Sequence, residues 1–144
     1  MTMISYINPY GNEFFLDYTV KKEYKSGLGA SIRICNNDPH RKWELQITKR
    51  KNLRILIDDM AVVPVNGTSD ILSLDGRTVN IKNINKDFIL VDGPFVGTTY
   101  YIKHVLTNKY VGVDNIIAPT TIMLVSEESR IFWKLHAIQG SSGS

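Results

Sequence analysis

Trp43-Glu44-Leu45, Phe88-Ile89-Leu90 and Trp133-Lys134-Leu135 share one pattern, an aromatic residue followed two places later by leucine. They recur at an even step of 45 residues, from 43 to 88 and from 88 to 133. Upstream, Ile34, Val79 and Leu124 keep the same step, and Ile32, Arg77 and Ile122 keep it with weaker chemistry. Self-similarity at a fixed period marks an architecture made by stacking one supersecondary unit that cannot bury its own apolar face alone. Three copies in 144 residues predict one domain with internal three-fold symmetry.

Working outward, the segments between these anchors read as short strands. Runs rich in Val, Ile, Tyr and Phe are bounded by turn signals such as Asn36-Asn37-Asp38-Pro39, Asn66-Gly67, Asp75-Gly76 and Asp92-Gly93-Pro94. Expected strands include Ser5–Ile7, Phe14–Tyr18, Ser31–Cys35, Trp43–Thr48, Leu53–Ile57, Ala61–Val65, Ile71–Leu74 and Thr78–Ile81. Phe88–Val91, Tyr100–His104, Tyr110–Val113, Thr121–Val125 and Phe132–Ile138 continue the series. No window carries a sustained apolar stripe of helical period, so an all-β fold is expected. The first and third repeats align directly: Tyr6-Ile7-Asn8 with Tyr101-Ile102-Lys103, then Phe14-Phe15-Leu16 with Tyr110-Val111-Gly112 at a small offset. The first repeat holds about five extra residues, in the Lys21–Gly29 segment.

Composition narrows the function classes. The single cysteine, Cys35, rules out an internal disulfide framework and points to a reducing compartment. The Met1-Thr2-Met3-Ile4 start lacks a signal-peptide pattern, so a cytoplasmic protein, or one released without a classical signal, is expected. No run approaches the roughly 18 apolar residues of a membrane span. The net charge of +3 is uneven, with ten Lys/Arg against five Asp/Glu in residues 1–54. Lys49-Arg50-Lys51 and Arg54 concentrate the excess, and the cluster reads either as an anion-binding patch or as a solvated turn between strands.

Signatures of catalysis are missing. His40, His104 and His136 have no metal-ligand spacing, and no HExxH, CxxC, P-loop or GxSxG string occurs. Cys35 stands five places before His40, a spacing better explained by a small residue at a strand end than by a nucleophile. Asp58-Asp59 and Glu127-Glu128 are adjacent pairs, which on a strand point to opposite faces. No metal or cofactor is expected. The aromatics at 43, 88 and 133 are expected in the core rather than as sugar-stacking platforms, because their spacing is locked to the leucines.

Four strands per repeat and three repeats make twelve, and this pattern resembles the β-trefoil, a six-stranded barrel capped by three hairpins. The resemblance spans the chain at repeat level. It implies a single domain over residues 1–139 with repeats at about 1–50, 51–95 and 96–139; the Gly/Ser composition of residues 140–144 reads as a flexible tail outside the fold. The Tyr100–Asn115 segment looks like the first hairpin of a ricin-B-type repeat, and Asp38-Pro39-His40 looks like the Asp-x-His segment of mussel-type trefoil lectins. The Gln-x-Trp string of ricin-type repeats is replaced, since Arg41 and Ile131 stand two places before Trp43 and Trp133. The resemblance implies a non-enzymatic, lectin-like module whose partner is a glycan or glycoprotein. Asp38, His40 and Asn37 would hold hydroxyls, Tyr24 would stack, and Asp114-Asn115 would form a second subsite. Both polar segments read equally as Asx turns. Two other readings stay open. One is a protease inhibitor acting through the Lys21–Gly29 or Asn115–Pro119 loop. The other is a cytokine-like trefoil binding heparin, phosphoinositide or, less favoured, nucleic acid through Lys49, Arg50, Lys51 and Arg54.

Overall fold

The computed structural model describes residues 2–9, 15–20, 30–36, 41–64, 70–75, 84–114 and 120–138. Among these described residues, twelve strands run in chain order. β1 (Thr2–Pro9), β2 (Phe15–Val20), β3 (Ala30–Asn36) and β4 (Trp43–Ile47) form the first repeat. β5 (Leu53–Ile57), β6 (Met60–Pro64), β7 (Leu72–Asp75) and β8 (Phe88–Asp92) form the second. β9 (Thr99–His104), β10 (Tyr110–Val113), β11 (Thr120–Val125) and β12 (Trp133–Ala137) form the third. The expected Thr78–Ile81 strand lies outside the described residues.

Strands β1, β4, β5, β8, β9 and β12 pair in a closed antiparallel ring, which leaves no barrel edge to be protected. The hairpins β2–β3, β6–β7 and β10–β11 close one end. The protein is a β-trefoil. The barrel's other end carries the β4–β5 and β8–β9 turns.

Strand alternation fills the core in layers of three. Ile7, Ile55 and Ile102 form one, Leu16, Val62 and Val111 a second, and Ile32, Leu72 and Ile122 a third; all nine are buried and surround one small apolar void. Such a void belongs to core packing rather than to ligand recognition. Trp43, Phe88 and Trp133 are completely buried. Trp43 Nε1–H donates to the Leu16 carbonyl at 3.1 Å, and Trp133 Nε1–H donates to the equivalent Val111 carbonyl at 3.0 Å. Of the leucines, Leu45 is buried, whereas Leu90 and Leu135 are half-buried against the core rather than inside it.

The cap corrects the second column. Ala30 pairs with Leu74 and Ser31 with Ser73 between β3 and β7, while Thr120 pairs with Ile34 and Thr121 with Arg33 between β11 and β3. Ile71 opposes Met123, and Leu124 N–H donates to Asp70 O at 2.6 Å. Three-fold equivalence of these contacts aligns Ile34 with Leu74 and Leu124, and Ile32 with Leu72 and Ile122; all six are at most 2% exposed. Leu74 and Leu72 therefore take the positions expected for Val79 and Arg77, which lie outside the described residues. The middle repeat reaches its cap strand five residues early and makes up the difference between β7 and β8. That compensation preserves the spacing of Phe88.

Candidate functional site

The outward residues beside each core isoleucine define three related surface positions. Alternation turns Tyr6, Arg54 and Tyr101 away from the axis, next to Ile7, Ile55 and Ile102. On the neighbouring strand, Phe15, Ala61 and Tyr110 precede the core residues Leu16, Val62 and Val111. In the first repeat Tyr6 and Phe15 meet edge to face, with centroids 6.3 Å apart at 76°. In the third, Tyr101 and Tyr110 repeat that geometry at 6.2 Å and 77°. Edge-to-face pairs of this kind match the positive ring edge to the negative face.

The surroundings then diverge. Beside the first pair, the His136 ring lies 5.5 Å from Phe15 and its Nε2 is 2.7 Å from Asn8 Oδ1. Asp17, next along β2, accepts from Arg41 Nε at 2.7 Å, so the chain entering β4 is tied to β2 directly after residue 40. Around the third pair, the Arg130 guanidinium sits 3.7 Å from the Tyr101 centroid and 5.0 Å from that of Tyr110. Phe132 extends the ring cluster at 6.0 Å from Tyr101. Arg130 stands three places before Trp133, the register that His40 holds before Trp43.

At the second position the surface is closed by charge. Arg54 was expected with the basic turn, but it is 5% exposed and donates from Nε to Asp87 Oδ1 at 2.9 Å. Asn52 Nδ2–H donates to Asp87 Oδ2 at 3.1 Å. The physical reason is non-local: the 3-10 turn Ile84–Lys86 and Asp87 fold over the outward face of β5. Lys49, Arg50 and Lys51 remain exposed in the β4–β5 turn, closed by Thr48 N–H to Asn52 O at 2.7 Å. Asp114 is exposed just past β10, and its N–H donates to Thr121 O at 3.0 Å, which extends the β10–β11 ladder by one pair. Tyr24, Asn37, Asp38, His40 and Asn115 lie outside the described residues.

Behind the buried ion pair, His104 is fully buried and contacts the Asn85 carbonyl through Nε2 and Thr107 Oγ1 through Nδ1, both at 2.8 Å. Since a carbonyl only accepts, Nε2 carries the proton and Nδ1 accepts from the threonine hydroxyl in the neutral ring. Burial pushes the imidazole below its ordinary value of 6.5, against the opposing pull of the Asn85 carbonyl and the Asp87 charge. His136 is lowered too, by burial and then by Lys134. Because the unfolded chain binds these protons more readily, stability should fall as pH drops below about 6.5 and be insensitive to these groups above it. Urea midpoints from pH 8 to 5 check this; His104→Gln should flatten the acid limb, leaving the part due to His136. A His104→Gln profile as steep as that of the parent protein would refute the assignment.

No protein-family profile and no curated protein sequence matches the chain. Solved structures do. A Culex salivary protein of the cysteine and tryptophan-rich family aligns with a TM-score of 0.75 at 11% identity, covering 96% of this chain and 95% of that one. A proteinase inhibitor from Coprinopsis cinerea gives 0.72 at 10% identity, covering 96% and 99%. SeviL, solved bound to the asialo-GM1 saccharide, gives 0.68 at 13% identity, covering 94% and 97%. At these identities the likeness concerns the fold, and fold alone does not carry function.

Proposed function

We propose that this chain is a non-enzymatic, carbohydrate-binding trefoil whose glycan site lies in the first repeat. The observation that carries the reading is the aromatic pair found twice at one trefoil position and treated differently each time. Arg130 covers Tyr101 in the third repeat, and an ion pair fills the position in the second. In the first, Tyr6 and Phe15 are half-buried beside His136, whose Nε2 is held by the buried Asn8, so the hydroxyl ligands are assigned to the segment before Arg41. Sugar recognition needs that combination, an apolar ring for the sugar's C–H face and convergent hydrogen-bonding groups for its hydroxyls. Arg41, next in sequence after Asp38-Pro39-His40, is tied to Asp17 on the strand that carries Phe15, and the matching sequence register of His40 and Arg130 supports a role for Asp38, His40 and Asn37 as hydroxyl ligands. SeviL, of the same fold, is solved with a saccharide bound.

A glycan array with the parent protein, Asp38→Ala and Tyr6→Ala tests the reading. A charge-assisted hydrogen bond is worth about 1.5–3 kcal/mol, so Asp38→Ala should weaken binding roughly ten- to hundredfold. Binding untouched by both substitutions would remove the site, and an array with no positive glycan would remove the class.

A further inference from the structure

The β8–β9 turn, Gly93-Pro94-Phe95-Val96-Gly97-Thr98, presents two apolar side chains to solvent: Phe95 is 50% exposed and Val96 76%. Its backbone is turned inward. The Phe95 carbonyl accepts from Thr98 N–H at 3.2 Å, Thr99 N–H at 3.0 Å and the hydroxyls of Thr98 at 3.1 Å and Thr99 at 3.0 Å. Phe95 N–H donates to Thr99 Oγ1 at 3.1 Å and Gly93 N–H to Thr99 O at 3.0 Å. Glycine is required at 93, where a Cβ would stand 2.6 Å from Thr99 Oγ1. A substrate-like protease wedge must offer its carbonyl to the enzyme's oxyanion donors, and this carbonyl is already engaged. A segment entering a lipid interface has the opposite need, apolar side chains outward and backbone groups satisfied from within.

Charge and aromatic placement point the same way. The β4–β5 turn with exposed Lys49, Arg50 and Lys51 lies at the same barrel end as the Phe95 turn, opposite the cap. Exposed Lys134 sits across from Thr99, and Asp92 is the acidic neighbour. From Phe95 a strip of rings climbs the barrel side through Phe132 at 6.4 Å and Tyr101 to the Arg130 guanidinium. An apolar tip, then aromatic rings, then cations is the order of a bilayer surface read outward from hydrocarbon to anionic headgroups.

We propose that this open end of the barrel docks peripherally on anionic phospholipid, with Phe95 and Val96 entering the interface and the Lys49-Arg50-Lys51 turn meeting the headgroups. Two side chains make a shallow, reversible anchor, so the apolar tip and the cations act jointly.

Flotation with glycan-free phosphatidylcholine vesicles, with and without phosphatidylserine, tests the proposal separately from glycan binding. The protein should float with the anionic vesicles only. Phe95→Ser with Val96→Ser should cut partitioning by about tenfold or more, the worth of the apolar burial lost. Lys49→Ala with Arg50→Ala should cost about fivefold per charge. All four positions are exposed, and unchanged melting midpoints would show the variants folded. Val96→Trp adds an exposed indole to a chain whose two tryptophans are buried; its emission should shift to the blue on binding and be quenched by brominated lipid. No flotation, flotation indifferent to the Phe95 and Val96 changes, or an introduced indole that stays in water would each overturn the proposal. The Asp38→Ala variant should float like the parent protein.

Discussion

Asp87→Ala should be among the most destabilising single changes in this protein, costing about 3–5 kcal/mol. The carboxylate is 2% exposed and Arg54 5%, so removing it takes the opposite charge away from a buried guanidinium beneath the 84–87 segment. Asn52 Nδ2–H loses its acceptor at the same time. Attraction between buried charges is offset largely by their desolvation, so the pair need not stabilise the fold relative to an apolar one. The penalty belongs to breaking it. Arg54→Met combined with Asp87→Leu should therefore recover most of the loss and lie near the parent protein or above it. Urea unfolding distinguishes these cases by a shift of midpoint at constant slope. If Asp87→Ala costs less than about 1 kcal/mol, as for an exposed pair, water reaches the site and the burial argument fails.

This same pair shows what a linear reading can and cannot find. Alternation around Leu53, Ile55 and Ile57 correctly turns Arg54 outward, and from that alone it belongs with Lys49, Arg50 and Lys51 on the surface. What covers it comes from residues 84–87, with Asp87 33 positions away, and nothing local to β5 announces that. The trefoil itself was legible because Trp43, Phe88 and Trp133 occupy equivalent, fully buried barrel positions, where packing tolerates little variation in size. The second column misled because two length changes cancel. The middle repeat is five residues short before β7 and five long after it, so Val79 falls on the even step while Leu74 holds the core position. The alignment of the first and third repeats sets Tyr6 with Tyr101 but Phe14 with Tyr110; the structure puts Phe15 at that position, one residue on, because Leu16 and not Phe15 is the core equivalent of Val111. The edge-to-face meeting of each pair needs two strands brought together. Asp92-Gly93-Pro94 reads as a turn from composition. Exposure of Phe95 and Val96 follows only from the hydrogen bonds that fold the backbone beneath them.

Trp133→Ala should cost about 3–5 kcal/mol, because the indole fills the centre of the core beside the void on the axis and the backbone cannot collapse around its absence. Trp133→Phe is the more informative change. Phe88 shows that the equivalent slot in the middle repeat accepts a phenyl ring, so shape alone predicts a modest loss. The indole also donates to Val111 O at 3.0 Å, and a buried carbonyl deprived of its donor adds about 1–3 kcal/mol. Trp43 makes the equivalent bond to Leu16 O at 3.1 Å, so Trp43→Phe and Trp133→Phe should cost nearly the same. The reverse change, Phe88→Trp, adds a ring to a slot already filled and should destabilise by about 1–3 kcal/mol through overpacking. Thermal and urea midpoints of the four variants provide the check. Equal losses for the two Trp→Phe variants, each smaller than that of Trp133→Ala, would show that the three barrel positions are energetically as well as geometrically equivalent. A Trp43→Phe loss far from that of Trp133→Phe would mean that the symmetry is one of backbone only, with each repeat packing its anchor by different contacts.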